Sequence, residues 1–309
     1  MSRSGPIGLE PGAEGSVALT DVRVSGHMPT ASVPPKTRLP DPRDRIPLGS
    51  SGVEASPVCV GLTDHPDTYC EAFDAGINFF FLTSDMHWPL YEGARQALVR
   101  LLARGGGVRD QIVVAAACYP TQPEFCTMPF SELVDAVPGL GHIDVLVAGG
   151  AYAGDWTDRR RVYAAHRDER FEGARAVGAS FHERAAVAPA VTAREVDIAY
   201  VRYNPLHLGA RRDIFPQVPD GDRAPLYNFK SSIGWRPPEQ YEAAGHGDLW
   251  LPTIGDHYRF ALTPPAMDGL LCMLGEPSHI GDLIDALAEG PLDDEDQNHL
   301  IALSRLELD

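Results

Sequence analysis

Eight short apolar runs, most of them followed by a stretch with helical spacing, constrain this chain more than any other feature. They are 57–62, 77–82, 111–117, 143–148, 174–180, 196–203, 225–229 and 267–274. Each reads as one short buried strand, the second of them (Ile77 to Leu82) by its Phe and Ile content. Helical patterns fall at 67–75, closed by Gly76, then at 91–102, 130–137, between Thr157 and Phe171, at 182–190 and at 280–288. Strand–helix alternation means a parallel sheet, and eight units in one domain-sized chain predict a closed (β/α)8 TIM barrel, an α/β fold. A doubly wound open sheet is the alternative. It lacks a GxGxxG after an early strand, since Gly105-Gly106-Gly107 follows a helix.

Residues 1–43 are rich in Gly, Pro and Ser and are read as a mobile leader with one short strand, Val17 to Val24. The barrel is expected over 44–309 as a single domain. A formal net charge of −17 disfavours a nucleic-acid backbone or an anionic membrane surface as partner. No apolar stretch approaches the ~20 residues that cross a bilayer, and the N-terminus lacks the core of a signal peptide. Cys59, Cys70, Cys118, Cys126 and Cys272 show no CxxC spacing, which points to reduced thiols in a cytoplasm. The expected partner is a small molecule; oligomeric state is not legible.

In a parallel barrel the loops after the strands build the site. The loop after the second run carries Asp85, His87 and Trp88. The loops after later runs offer Tyr119, Tyr152, His182, Arg202, Tyr203, Asn204, His207, Asn228 and Lys230. Asp85 and His87 stand two apart, close enough for their side chains to share a hydrogen bond. Lys230 stands out because the chain's other basic residues, Lys36 apart, are all arginine. A lysine is a compact amine usable as base or nucleophile once buried. Asp85, His87, Lys230, His182 and Tyr203 are therefore the catalytic candidates. Trp88, Tyr119, Tyr152, Arg202, Asn204, His207 and Asn228 are the substrate-binding candidates.

Several motifs, in order, resemble the aldo-keto reductases: LGSSGVEASPVCVGLT (48–63), GIN followed by an apolar strand and Asp85-Met86 through Tyr91-Glu92, RAVGASF (175–181), VRYNPLH (201–207) and LGEPSHIGDLIDAL (274–287). The resemblance covers nearly all of 46–309 and implies a (β/α)8 barrel with its site at the strand C-termini. It also implies nicotinamide-dependent carbonyl reduction by Asp, Tyr, Lys and His. Those positions fall here on Phe81 or Leu82, Met86 or His87, Ala117 or Cys118, and Gly149. Of the cofactor partners the resemblance implies, Ser180, Tyr227, Gly275 and Ser278 are the candidates. The partner expected after Ser180 is Phe181, and the expected Gln is Tyr200.

The favoured reading is an enzyme doing acid–base chemistry on a small polar molecule (a lyase, isomerase or cyclase) with no cofactor required. The alternatives are an NAD- or NADP-dependent carbonyl oxidoreductase with an altered site, a metal enzyme using His87, His182 and His207, and a non-catalytic binding barrel.

Overall fold

A computed structural model describes residues 36–307. A short antiparallel hairpin, β1 (Ile46–Pro47) and β2 (Glu54–Ala55), precedes eight staves. These are β3 (Val58–Val60), β4 (Phe79–Thr83), β5 (Val113–Cys118), β6 (Val145–Ala151), β7 (Ala176–Phe181), β8 (Ile198–Arg202), β9 (Leu226–Phe229) and β10 (Gly269–Cys272). Each stave pairs parallel with the next, and β10 closes the barrel on β3. All eight expected strands are present and the (β/α)8 barrel is the fold.

The staves read as unbroken apolar runs because both of their faces are buried. Phe79, Phe81, Val113, Ala115, Ala117, Val145, Val147, Ile198, Tyr200 and Tyr227 point inward and form one cluster. The residues between them, such as Phe80, Leu82, Val114, Leu146 and Val201, face the helices in a second. Small residues on β5 and β7 make room for rings on β4, β8 and β9. Phe79 meets Tyr227 edge-on at 5.6 Å, and Phe81 meets Tyr200 at 5.5 Å. Truncating such a buried phenylalanine to alanine costs about 3–5 kcal/mol. The hairpin plugs the lower end with Leu48, Val53 and Ala55. Its turn needs Gly49 at φ +52°, where a Cβ would lie 2.4 Å from the Asp197 carboxylate.

The outer layer includes α1 (Thr68–Asp74), α2 (Glu92–Leu102), α3 (Val108–Gln111), α4 (Pro129–Ala136), α5 (Ala153–Asp168), α6 (Val187–Thr192), α7 (Ala210–Asp213), α8 (Pro238–Ala243), α9 (Ile254–Leu262), α10 (Ser278–Ala288) and α11 (Asp294–Ser304). Helices α3, α7, α8, α9 and α11 were not expected. Helix α9 begins with a capping box of Thr253 and Asp256, a start signal that hydrophobic spacing does not register. No helix among the described residues is long and apolar enough to cross a membrane.

Most of the expected leader, including Val17 to Val24, lies outside the described residues. Its last part packs on the barrel. Leu39 is buried, and the Lys36 ammonium donates to the carbonyls of Leu262 and Met267.

Candidate functional site

The upper end of the barrel opens into a pocket of about 480 Å³. Its walls are aromatic: Phe81 and Tyr91 from the β4 side, Tyr119 after β5, Tyr200 on β8 and Phe229 on β9. His87, Ser180, His182, Lys230, Ser231 and Ser232 supply polar groups. At the floor, the Thr83 and Tyr200 hydroxyls are buried and have no hydrogen-bond partner among the described residues. A buried hydroxyl left unpaired costs free energy, so these two atoms are ready-made anchors for a polar ligand atom.

Asp85 organises the entrance. Its side chain is only 3% exposed. One oxygen accepts from the His87 main-chain N–H at 3.0 Å and sits 2.9 Å from His87 Nδ1. The other accepts from the Tyr119 N–H. A carboxylate can only accept from the ring, so Nδ1 carries the proton and Nε2 of the neutral imidazole is the basic atom. The His87 ring packs on Tyr119 with centroids 4.4 Å apart. The expected Asp85–His87 pair is therefore formed.

Tyr119 is shaped from two further directions. A Cβ on Gly149 would lie 2.7–2.8 Å from its ring, so the absence of a side chain there lets the ring lie across the end of β6. Behind it, the fully buried Arg159 of α5 donates to the carbonyls of Cys118 and Gly149, both at 3.0 Å, and pairs with Asp155 at 2.9 Å. Burial first, then the nearby Asp85 charge, raises the Tyr119 phenol above its ordinary value. Burial also raises Tyr91 and Tyr200. All three hold their protons and act as donors.

A smaller cleft of about 220 Å³ adjoins this pocket and shares His182, Phe229 and Lys230 with it. Tyr152, Arg184, Arg202 and His207 complete its polar lining. Tyr152 meets the His182 ring at 5.8 Å. Burial, followed by the Lys230 and Arg202 cations, lowers His182; burial, then Arg202 and Lys230, lowers His207.

Other expected site residues stand elsewhere. Tyr203 turns outward: it accepts from Arg211 Nε at 2.6 Å and stacks on Phe260 at 5.1 Å. Tyr227 lies inside the lower barrel with its hydroxyl on the Ser56 carbonyl at 2.9 Å. Asn228 is buried on the outer face, donating to the Tyr203 carbonyl at 2.6 Å. Asn204 is buried and braces the rim, donating to the Lys230 carbonyl at 2.8 Å. Trp88 lies outside the pocket under the Arg95 guanidinium. Ser180 lines the pocket and accepts from the Gly150 N–H at 2.9 Å. Gly275 accepts from the Asp64 N–H, and Ser278 donates to Glu276; neither lines the pocket. His87, His182 and His207 do not meet, and among the described residues no three acidic, Cys or His side chains gather as a metal site.

Tyr91, Tyr200, Thr83 and Arg159 were not among the expected site residues. Strand periodicity carries a signal for two of them, since Thr83 and Tyr200 keep the inward phase of their staves. Nothing local marks Arg159, which sits mid-helix among other arginines.

No family model and no curated protein matches the sequence. Solved structures do match. One is from Pseudomonas aeruginosa and is provisionally named an aldo-keto reductase; it has a TM-score of 0.60 and 16% identity, over 81% of this chain and 97% of that one. Another is an aldo-keto reductase from Bacillus halodurans in its holo form, at a TM-score of 0.63 and 12% identity, over 84% and 96%. The fold is an aldo-keto-reductase-like barrel. At such identities the likeness shows the architecture alone.

Proposed function

We propose that this barrel is an enzyme that moves protons on a small carbonyl-bearing molecule, as an isomerase or lyase. The observation that carries the reading is the His87–Asp85 pair at the pocket entrance, with Nδ1 engaged by a buried carboxylate and Nε2 left as the base. His87 takes a proton from the carbon beside the carbonyl, and the electron pair moves onto the carbonyl oxygen. The phenols of Tyr91, Tyr119 and Tyr200, all kept protonated by burial, are the donors available to that oxygen. A phenol protonates that oxygen; His87 then returns its proton to the former carbonyl carbon while the hydroxyl on the adjoining carbon gives its proton to the phenolate and becomes the new carbonyl, which completes an isomerisation. Loss of a group from the next carbon completes an elimination.

The positions that resemble a reductase tetrad support the same reading. On the sequence they fall on Phe81 or Leu82, Met86 or His87, Ala117 or Cys118, and Gly149, and the Tyr119 ring occupies the space above Gly149. The nicotinamide itself finds a poor fit. Tyr227 is sealed in the lower barrel, Phe181 packs on Trp156 at 5.6 Å, and of the expected partners Ser180 alone lines the pocket. No step is routed through that cofactor. The names of the structural neighbours favour a second reading, carbonyl reduction with NAD(P)H, in which His87 replaces the acid.

The test is hydrogen exchange in D2O, followed by proton NMR, across a panel of small hydroxy-carbonyl compounds. Exchange beside the carbonyl that falls at least ~100-fold in His87→Asn, with unchanged melting, supports the proposal. Brisk NADPH-dependent reduction of nitrobenzaldehyde, with no exchange for any compound, supports the second reading instead.

A further inference from the structure

The chain is strongly acidic, yet among the described residues no Asp or Glu lines the pocket or its adjoining cleft. The cleft instead gathers cations. Arg202 at the end of β8 and Lys230 just after β9 are exposed, and neither enters a salt bridge among the described residues. Arg184 is partly compensated by Asp213 at 2.6 Å.

Lys230 is held in place at a cost. Its φ is +60°, the left-handed region that a residue with a Cβ rarely occupies because the Cβ crowds the following carbonyl. Asn204 secures that backbone by donating to the Lys230 carbonyl. The Asn204 amide oxygen in turn accepts from Leu206 N–H at 3.1 Å and stands 2.9 Å from His207 Nδ1. One buried side chain thus sets both a lysine and an imidazole at the cleft, and leaves His207 Nε2 free. Unpaired cations in an acidic protein, fixed by a buried brace and free of any lining carboxylate, lack an anion.

We propose that this cleft is the oxyanion-binding subsite of the substrate: Arg202 and Lys230 hold a phosphate or carboxylate whose flat, apolar body lies between the aromatic walls of the main pocket. The two spaces already share His182, Phe229 and Lys230, so one small molecule reaches both. The inference rests on the proposed function only in taking this pocket as the active site, and it narrows the substrate to planar molecules bearing an oxyanion.

The test is calorimetric titration of the full chain with phenyl phosphate, benzoate, phenol and inorganic phosphate. No turnover is needed, so the result stands apart from the role of His87. At least one of phenyl phosphate and benzoate is expected to bind ~10-fold or more tighter than phenol or inorganic phosphate, and which of the two wins identifies the anion. Arg202→Ala and Lys230→Gly should each weaken that binding by roughly 10-fold, the glycine also relieving the strained φ, while Lys230→Arg retains most of it. The proposal falls if phenol binds as well as both anions, or if neither cation variant changes affinity. It also falls if only NADPH binds and both variants abolish that binding, for the cleft would then serve a nicotinamide cofactor.

Discussion

Asp85 grips Tyr119 through its main-chain N–H at 2.5 Å while its other oxygen orients His87. One buried carboxylate therefore ties the loop after β4 to the loop after β5 and sets the base against the phenol. Asparagine keeps the shape but offers one acceptor oxygen where two are used. Asp85→Asn is expected to cost about 1–3 kcal/mol of stability, the usual effect of stranding a buried donor. Proton exchange on substrate should fall at least ~100-fold, because His87 loses its fixed tautomer. Tyr119→Phe, which keeps the N–H, should leave the melting temperature within a few degrees while still slowing exchange.

Arg159 acts on the same loop from behind. Its guanidinium is fully buried and holds the Cys118 and Gly149 carbonyls together with Asp155. Removing one partner from such a network costs about 3–5 kcal/mol. Arg159→Met is expected to lose that much in denaturant unfolding. Arg159→Lys should recover only part, since an ammonium cannot span two carbonyls and a carboxylate as a planar fork does. If Arg159→Met unfolds like the wild type, the arginine has no structural role at the rim.

How much of this was legible beforehand follows from what each feature depends on. The staves were readable because burial on both faces writes itself as an apolar run, as in Ile143 to Ala148. The Asp85–His87 pair was readable because both residues lie on one short loop. Tyr203 was misplaced for a geometric reason: neighbouring residues on a strand face opposite ways, and one register step decides between pocket and outer layer; Tyr227 does face inward, but one layer too deep to reach the pocket. In VRYNPLH, Arg202 lines the cleft while Tyr203 turns outward onto Phe260. Arg159 could not be read because its partners are carbonyls of two other strands.

At the opposite end of the barrel, Asp144 predicts an acid response. It is fully buried and accepts from Arg109 at 2.9 Å, Arg175 at 2.6 Å and the Val114 N–H at 2.8 Å, with His142 3.3 Å away. Burial alone would raise its carboxyl; His142, Arg109, the Val114 N–H and Arg175 together outweigh burial and hold it well below the usual range. Its folded pKa thus lies under the unfolded value of about 3.9, so its stabilisation is complete above that and is lost as pH falls through the folded value. Asp144→Asn is expected to destabilise the protein at pH 7 by about 3–5 kcal/mol. The gap between variant and wild type should narrow below roughly pH 4, as the wild-type carboxyl takes up its own proton. A constant gap from pH 7 to pH 3 in urea unfolding would contradict this.

The segment at 36–43 makes a separate stability prediction. Burial lowers Lys36 to about 8, and its ammonium reaches carbonyls at the α9 end and in the connection that leads to β10. Deleting residues 1–40 removes both Lys36 and the buried Leu39. The expected loss is ~2–4 °C in melting temperature for each kcal/mol of contact removed, in a chain of this size. Deleting 1–35 spares both residues, and equal melting of the two truncations would show that neither contact stabilises the barrel.

Gly149 offers the most direct test of how the pocket is built. The Tyr119 ring lies so close that an alanine Cβ would meet it at 2.7 Å, well inside any ordinary contact. Gly149→Ala must therefore push the ring away, and the ring is packed on His87 at 4.4 Å. The substitution is expected to destabilise by about 1–3 kcal/mol, as overpacking does, and to depress turnover by disturbing His87. The double variant Gly149→Ala with Tyr119→Ala removes the clash. Its stability should then exceed the sum expected from the two single variants, a coupling of about 0.5–3 kcal/mol for residues in contact. Turnover should stay low, because the phenol is gone. Additive stabilities would mean that Tyr119 and Gly149 do not touch, and would remove the reason this position carries glycine.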